Sequence, residues 1–296
     1  MRRSVVLGEW LDRPIEADLA VAVEADRLGY PEVWVGEMAK LDAPAMAAAI
    51  VARTAQIEPC LGPLAVTVRS PAQIALAAST VAATGRTTHV ALGTSSVMVA
   101  TWHGRSRARA VSQLASTTAG VRALLDGQRV DGFRLRQPPP AATLTVAAFG
   151  PRAAAIAAAA DRMVLNLVTV GAVAELAPRH PNTAAWLPAA VDPTPEERRW
   201  LALGLVGYLG AAGYAEMFAA AGYADLVDLA RSRPHPKELA ARLPDGLIEA
   251  VGLVGSASEV EAKLAEYAAA GLSEVGLVVP PLDSPSGHRT LEALAP

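Results

Sequence analysis

The sequence predicts a (β/α)₈ barrel with helical insertions in its C-terminal half. Short, continuous apolar runs alternate with helix-length stretches along the whole chain. The runs number eight, and 296 residues accommodate such a barrel with insertions. Strands that are apolar on both faces and separated by about ten or more helical residues pair in parallel and are covered by those helices. An open doubly wound sheet is the rival. No G-x-G-x-x-G joins the early strands to their helices, and Gly8-Glu9-Trp10 and Gly36-Glu37-Met38 are too bulky for a dinucleotide turn.

The elements follow in order. Ser4–Gly8 reads as a buried strand, and a helical stretch runs from about Ile15 to Leu28. Glu32–Gly36 is the second strand, followed by a helix from Pro44 to Ala55. Leu61–Val68 is the third, after which Ser70 suits an N-cap and Pro71 a first helical turn. His89–Gly93 is the fourth strand, and Leu144–Phe149, Met163–Leu167, Ala184–Val191 and Glu274–Val279 complete the eight. Two parts exceed a bare barrel: an excursion from Ser96 to about Ser106, and a region from Pro195 to Pro244 that reads as two or three helices. The triple-proline stretch Arg136–Ala142 is a connector within one domain spanning residues 1–296.

Composition narrows the function classes. Hydrophobic residues make up 52% of the chain, but no run is long and apolar enough to cross a membrane, and Glu9 and Asp12 interrupt the only N-terminal apolar run. A net charge of −3 with scattered basic residues argues against a nucleic-acid surface, and more weakly against a strongly anionic substrate. The single cysteine, Cys60, allows no internal disulfide, so the cytoplasm is the expected compartment. His89, His103, His180, His235 and His288 are widely spaced without a H-E-x-x-H pair, and no metal site is expected.

Barrel ligands meet the C-terminal strand ends. Gly8 and Trp10 stand at the first exit, Glu37 and Met38 at the second. Burial at the mouth would suit Glu37 to proton transfer, whereas pairing with an arginine or capping a helix is its structural alternative. At the fourth exit, Gly93 is followed by Thr94, Ser95 and Ser96, small hydroxyl residues able to hold a cofactor's polar edge. Ser96 lies in no G-x-S-x-G elbow, which disfavours hydrolase chemistry. Trp102 could wall a substrate and His103 could protonate it. At the fifth exit Gly150, Pro151 and Arg152 open a helix able to receive an anion, as a purely structural helix start would also do.

These segments, in this order, resemble the bacterial luciferase-like flavin and deazaflavin oxidoreductases. The matching stretches are AVEADRLGYPEVWVGEM (22–38), LGPLAVTVRSPAQIALAASTV (61–81), VALGTSSVMVATWHG (90–104), LTVAAFGPRAAAIAAAADRMVLNLV (144–168) and VGSASEVEAKLAEYAAAGLSEVGLVV (254–279). GTSS followed by WHG looks more like the branch that uses coenzyme F420, a 5-deazaflavin hydride carrier, than like the true luciferases. The resemblance implies a barrel that is often dimeric, with Gly93–Ser96 beside the deazaflavin ring and Gly150–Arg152 beside its phosphate. Leu64–Ala65 matches the place where relatives often carry a strained non-prolyl cis peptide. The chain departs from the family at Met38, where relatives often have histidine, and at Ser96, where sugar-phosphate dehydrogenases of the F420 group have glutamate.

The expected function is therefore F420-dependent reduction of an activated C=C or C=N bond in a small organic substrate. Glu37 or His103 would donate the proton, assisted by Ser96. The alternatives are an FMN-dependent monooxygenase and a redox-inactive barrel used for binding or assembly, whose mark would be side chains filling the mouth near Gly93 and Gly150.

Overall fold

The computed structural model describes residues 1–7 and 14–296; Gly8 and Trp10 lie outside the described residues. The strands are β1 (Arg2–Leu7), β2 (Glu32–Val35), β3 (Glu58–Ala65), β4 (His89–Gly93), β5 (Leu144–Ala147), β6 (Arg162–Asn166), β7 (Thr183–Val191), β8 (Leu253–Gly255) and β9 (Glu274–Val278). All pair in parallel. β1 to β7 follow one another around the ring and β9 closes it between β7 and β1, so eight strands form a closed barrel. The ninth, β8, is only three residues long and extends the end of β7 outside that ring. It was not foreseen, because three apolar residues carry no periodicity.

Helices α1 (Ile15–Arg27), α2 (Ala43–Val51), α3 (Pro71–Ala82), α4 (Val97–Trp102), α5 (Ala110–Leu125), α6 (Pro151–Ala157) and α7 (Val170–Leu176) lie between the first seven strands. Ser70 caps α3 as predicted, accepting from Gln73 N while the Gln73 side chain accepts from Ser70 N. Helix α2 stops four residues short of its predicted end. The Asp26 carboxylate accepts from the N–H groups of Ala55, Gln56 and Ile57, drawing the chain out of the helix toward β3. That strand starts and ends three residues before its predicted limits. Its register against β4 shifts between Leu61 and Leu64, around a cis Gly62–Pro63 peptide. Gly62 is obligatory there: with φ at 110°, a Cβ would lie 2.2 Å from Leu64 N and 2.5 Å from Ala91 O.

The predicted excursion is α4 and its flanks, and the region 195–244 holds four short helices rather than two or three: α8 (Pro195–Leu203), α9 (Tyr214–Phe218), α10 (Ala224–Arg231) and α11 (Pro236–Ala240). Gly213 and Gly222, both at positive φ, break what would otherwise be longer helices. Helices α12 (Leu247–Ala250), α13 (Ala257–Ala269) and α14 (Gly287–Ala293) complete the chain. The main core fills the space between strands and helices. A second cluster, including Val6, Trp34, Cys60, Ala91, Val164, Ala184 and Val278, fills the barrel itself. No described helix is long and apolar enough to cross a membrane.

Candidate active site

The barrel lumen is layered, and the layers decide where a ligand can enter. At the N-terminal end, Glu32, Arg162 and Glu274 each occupy the first position of a strand and point inward. Arg162 donates through Nη2 to Glu32 Oε1 at 2.6 Å and through Nη1 to Glu274 Oε2 at 2.7 Å, with Nε on Thr145 Oγ1 at 3.0 Å. Ser4 Oγ donates to Glu274 Oε1 at 2.7 Å, and Arg2 reaches Glu32 from the half-exposed outside. Two guanidinium groups thus balance two carboxylates. Burial opposes the charge on Glu32, but Arg162 outweighs it and lowers that carboxyl's pKa. The Cys60 thiol beside them is pushed well up by burial, so it serves as packing rather than as a nucleophile.

Two tryptophans close the lumen above this layer. The Arg162 guanidinium lies 4.1 Å from the Trp34 ring centroid, and Trp34 Nε1 donates to Ser4 Oγ. Trp186 meets Trp34 edge-on at 5.6 Å. Gly276 makes its position possible, since a Cβ there would stand 2.8 Å from both Trp186 Cδ1 and Val6 Cγ2. Trp186 is only partly buried, yet its Nε1 is buried and has no partner among the described residues. It forms a flat floor with an unused donor.

Above this floor the wall is made of small residues on one side and aromatics on the other. Ala65 pairs with Gly93, and a Cβ on Gly93 would meet Pro63 Cβ at 3.2 Å and Ala147 Cβ at 3.5 Å. Leu64 instead is fully buried in the outer core. Ser95 adopts φ 55°, a left-handed conformation uncommon for serine. Arg107 holds the loop there, with Nε donating to Ser95 O at 2.6 Å and Nη2 to Thr94 Oγ1 at 2.9 Å. Ser96 Oγ accepts from Val99 N and caps α4, leaving its own proton free to donate elsewhere. His103 ends α4 in an exposed position, and its ring bonds to no described residue; Trp102 beside it is half exposed.

Glu37 follows β2 at the rim, half-buried beside Met38. Its carboxylate takes both arms of Arg69, Nε on Oε1 and Nη2 on Oε2 at 2.7 Å each, and also accepts from Ala43 N. Such a fork uses both carboxyl oxygens as acceptors. At the fifth exit Gly150, with φ 109°, leaves nothing within 4 Å of a would-be Cβ, and Pro151 and Arg152 beyond it are exposed. The mouth is therefore not filled at Gly150.

Several residues at this end escaped the sequence reading. Phe149 stacks on Tyr214 at 4.2 Å, Tyr208 packs beside Tyr214 at 5.0 Å, and Asn166 Nδ2 donates to the Tyr214 hydroxyl. Gly213 allows the contact, because a Cβ there would come within 2.6 Å of the Phe149 ring. The sequence carries Gly-Tyr pairs at 207–208 and 213–214, but nothing local places either tyrosine near Phe149. Among the described residues no group of acidic, histidine or cysteine side chains could hold a metal.

A model of the family described as luciferase-like monooxygenase matches residues 7–274. Among solved structures, the chain is similar to the coenzyme F420-dependent tetrahydromethanopterin reductase of Methanopyrus kandleri, at 13% identity over 99% of this chain and 97% of that one, with a TM-score of 0.76. It is similar to an F420-dependent secondary alcohol dehydrogenase in complex with an F420–acetone adduct, at 17% identity over 99% and 97% of the chains and a TM-score of 0.75. It also resembles the oxygenating constituent of 3,6-diketocamphane monooxygenase from Pseudomonas putida in complex with FMN, at 15% identity over 100% and 97% and a TM-score of 0.70. At these identities the likeness shows the fold. No curated protein sequence matches the chain.

Proposed function

Because this chain belongs to the luciferase-like monooxygenase family, we propose that it is an oxidoreductase that binds coenzyme F420 at the barrel mouth and reduces an activated C=C or C=N bond of a small organic substrate. One observation carries the proposal: the mouth is lined for a flat, polar-edged ring. Trp186 gives a planar surface with an unpartnered N–H, Ala65, Gly93 and Ala147 present no side chain larger than a methyl on the facing strands, and Thr94–Ser96 supply hydroxyl groups on a loop that Arg107 fixes. The space at Gly150 supports the same reading, with the N–H groups of Gly150 and Arg152 and the Arg152 side chain holding a cofactor phosphate, and Pro151, which has no N–H to give, fixing the helix start between them.

When bound, the deazaflavin supplies a hydride from C5. The protein's part is to orient that atom against the substrate and to deliver the matching proton. We assign the proton to His103, which is exposed beside the mouth helix and has no competing partner among the described residues. Glu37, committed to Arg69 and Ala43, fixes the β2 exit as an anion, and Ser96 is placed to donate a hydrogen bond. Met38 and Trp102 would border the substrate.

Titration with F420 and FMN separately, followed by absorbance and fluorescence, tests the assignment. Micromolar F420 binding is the expected result. FMN binding without F420 binding would replace it by the FMN monooxygenase reading, which the FMN-containing structural neighbour favours. Binding of neither would leave a binding or assembly barrel.

A further inference from the structure

A second feature of the mouth end is independent of the lumen. Between the exit of β3 and the start of α5 lies an open cleft of about 370 Å³, walled by Thr67, Arg69, Ser70, Arg105, Arg109 and Gln113 among others. The sequence separates these cations. Arg105, Arg107 and Arg109 alternate along an irregular stretch, so the middle one turns to the Gly93–Ser96 loop while its two neighbours reach the cleft. Neither the Arg105 nor the Arg109 guanidinium has an ion pair or hydrogen bond among the described residues. Arg69 is taken by both Glu37 and Asp42, at 2.7 and 2.6 Å, so this trio contributes a net charge of −1 and the positive charge facing the cleft comes from Arg105 and Arg109.

Two uncommitted polar atoms belong to the same walls. Thr67 is 8% exposed and its Oγ1 has no partner, and the Gln113 carboxamide oxygen is likewise buried and unpartnered. Buried polar groups are rarely left so, and such orphans point to a group that completes them. The 16-residue helix α5 also opens here with no side-chain cap, leaving N–H groups of its first turn available.

We propose that this cleft binds a small polyanion, the phosphate or the clustered carboxylates of a second ligand distinct from the cofactor. Arg105 and Arg109 are its anchors, through charge-assisted hydrogen bonds, and Thr67 and Gln113 supply its inner polar wall. The occupancy of the cleft rests on these residues alone and not on the F420 assignment.

The test is calorimetric titration of the purified protein with inorganic pyrophosphate in one arm and triglutamate in the other, which separates phosphate from carboxylate chemistry. Saturable binding of either is expected, weakened roughly tenfold or more in R105A/R109A. The charge-matched control R53A/R129A should bind as the wild type does. Both anchor side chains are exposed, so folding is expected to survive, and circular dichroism checks it. Binding unaffected by R105A/R109A, or weakened equally by the control, overturns the site. So does a matching loss of F420 or FMN affinity in R105A/R109A, because the cleft would then hold the cofactor itself. Anion binding without any cofactor binding leaves the cleft standing and refutes the function proposed above; cofactor binding without anion binding does the reverse.

Discussion

The two ends of the barrel lumen solve opposite problems with similar residues. At the N-terminal end every charge has a partner: Arg162 between Glu32 and Glu274, Ser4 and Thr145 filling the remaining positions, Trp34 lying over the guanidinium. At the mouth, Trp186 Nε1 is orphaned, the His103 ring is uncommitted and Gly150 faces open space. Satisfied polar groups bury a structure, whereas unsatisfied ones beside open space leave it ready for a ligand. Polarity alone therefore does not distinguish the two ends; incompleteness does.

The largest expected effect breaks the closed end. Arg162→Met leaves Glu32 and Glu274 buried with only the half-exposed Arg2 to share, one carboxylate in excess, and should lower stability by about 3–5 kcal/mol in a denaturant titration. Removing the acids as well, in E32Q/R162M/E274Q, should recover most of that loss, because an uncharged layer carries no ion-desolvation cost. A triple variant as unstable as the single one would show that the layer is held by shape rather than by charge balance.

A second satisfied carboxylate lies outside the ring but at the mouth end. Glu197, in the first turn of α8, accepts from Thr194 N, Ser286 N and Ser286 Oγ, tying the exit of β7 to the loop after β9. Burial alone would raise its pKa; the hydrogen bonds prevail and hold it at about 2. The folded value lies below the unfolded one, so the stabilisation is complete above about pH 4.5 and fades as pH falls toward 2. Glu197→Gln should cost up to about 3 kcal/mol at neutral pH, a difference that shrinks across that window in acid unfolding curves. A constant difference across it would remove the carboxylate's charge as the cause.

His103→Gln probes the incomplete end directly. Turnover should fall by roughly a hundredfold with thermal stability and cofactor affinity unchanged, since an exposed helix-end side chain contributes little packing. Equal activity would return the proton to Glu37, and would require Arg69 to release it.

What the sequence made legible follows from range. Eight apolar runs are local, and their alternation with helices sufficed for the barrel; Ser70 and Pro71 are likewise local, and the α3 start is as read. Glu32, Arg162 and Glu274 were counted merely as strand ends or flanks. Nothing local pairs residues 130 and 112 positions apart; only ring closure brings them together. The same holds for Tyr214 on Phe149 and for Arg69 with Arg105 and Arg109, where scattered charge in the sequence becomes a cleft in space. The sequence allows Glu37 an arginine partner, but that the partner is Arg69, and that it binds as a fork, depends on how β3 turns into α3.

The smallest expected effect tests whether the mouth is preorganised. Ser95 in the left-handed region costs on the order of 1 kcal/mol relative to an extended serine. Arg107 offsets this with two hydrogen bonds from a largely solvated side chain, each contributing about 1 kcal/mol or less. In Arg107→Ala, Ser95 can relax and the hydroxyls of Thr94 to Ser96 lose their common orientation. Global stability should change by less than about 1 kcal/mol, while cofactor affinity falls several-fold, because the ordering of the loop is then charged to binding. The ratio of the two effects is informative. A loss of stability without a loss of affinity would make the loop one more satisfied structural element, like the opposite end of the barrel. A loss of affinity alone locates the loop's strain at the ligand, where its left-handed serine has a use.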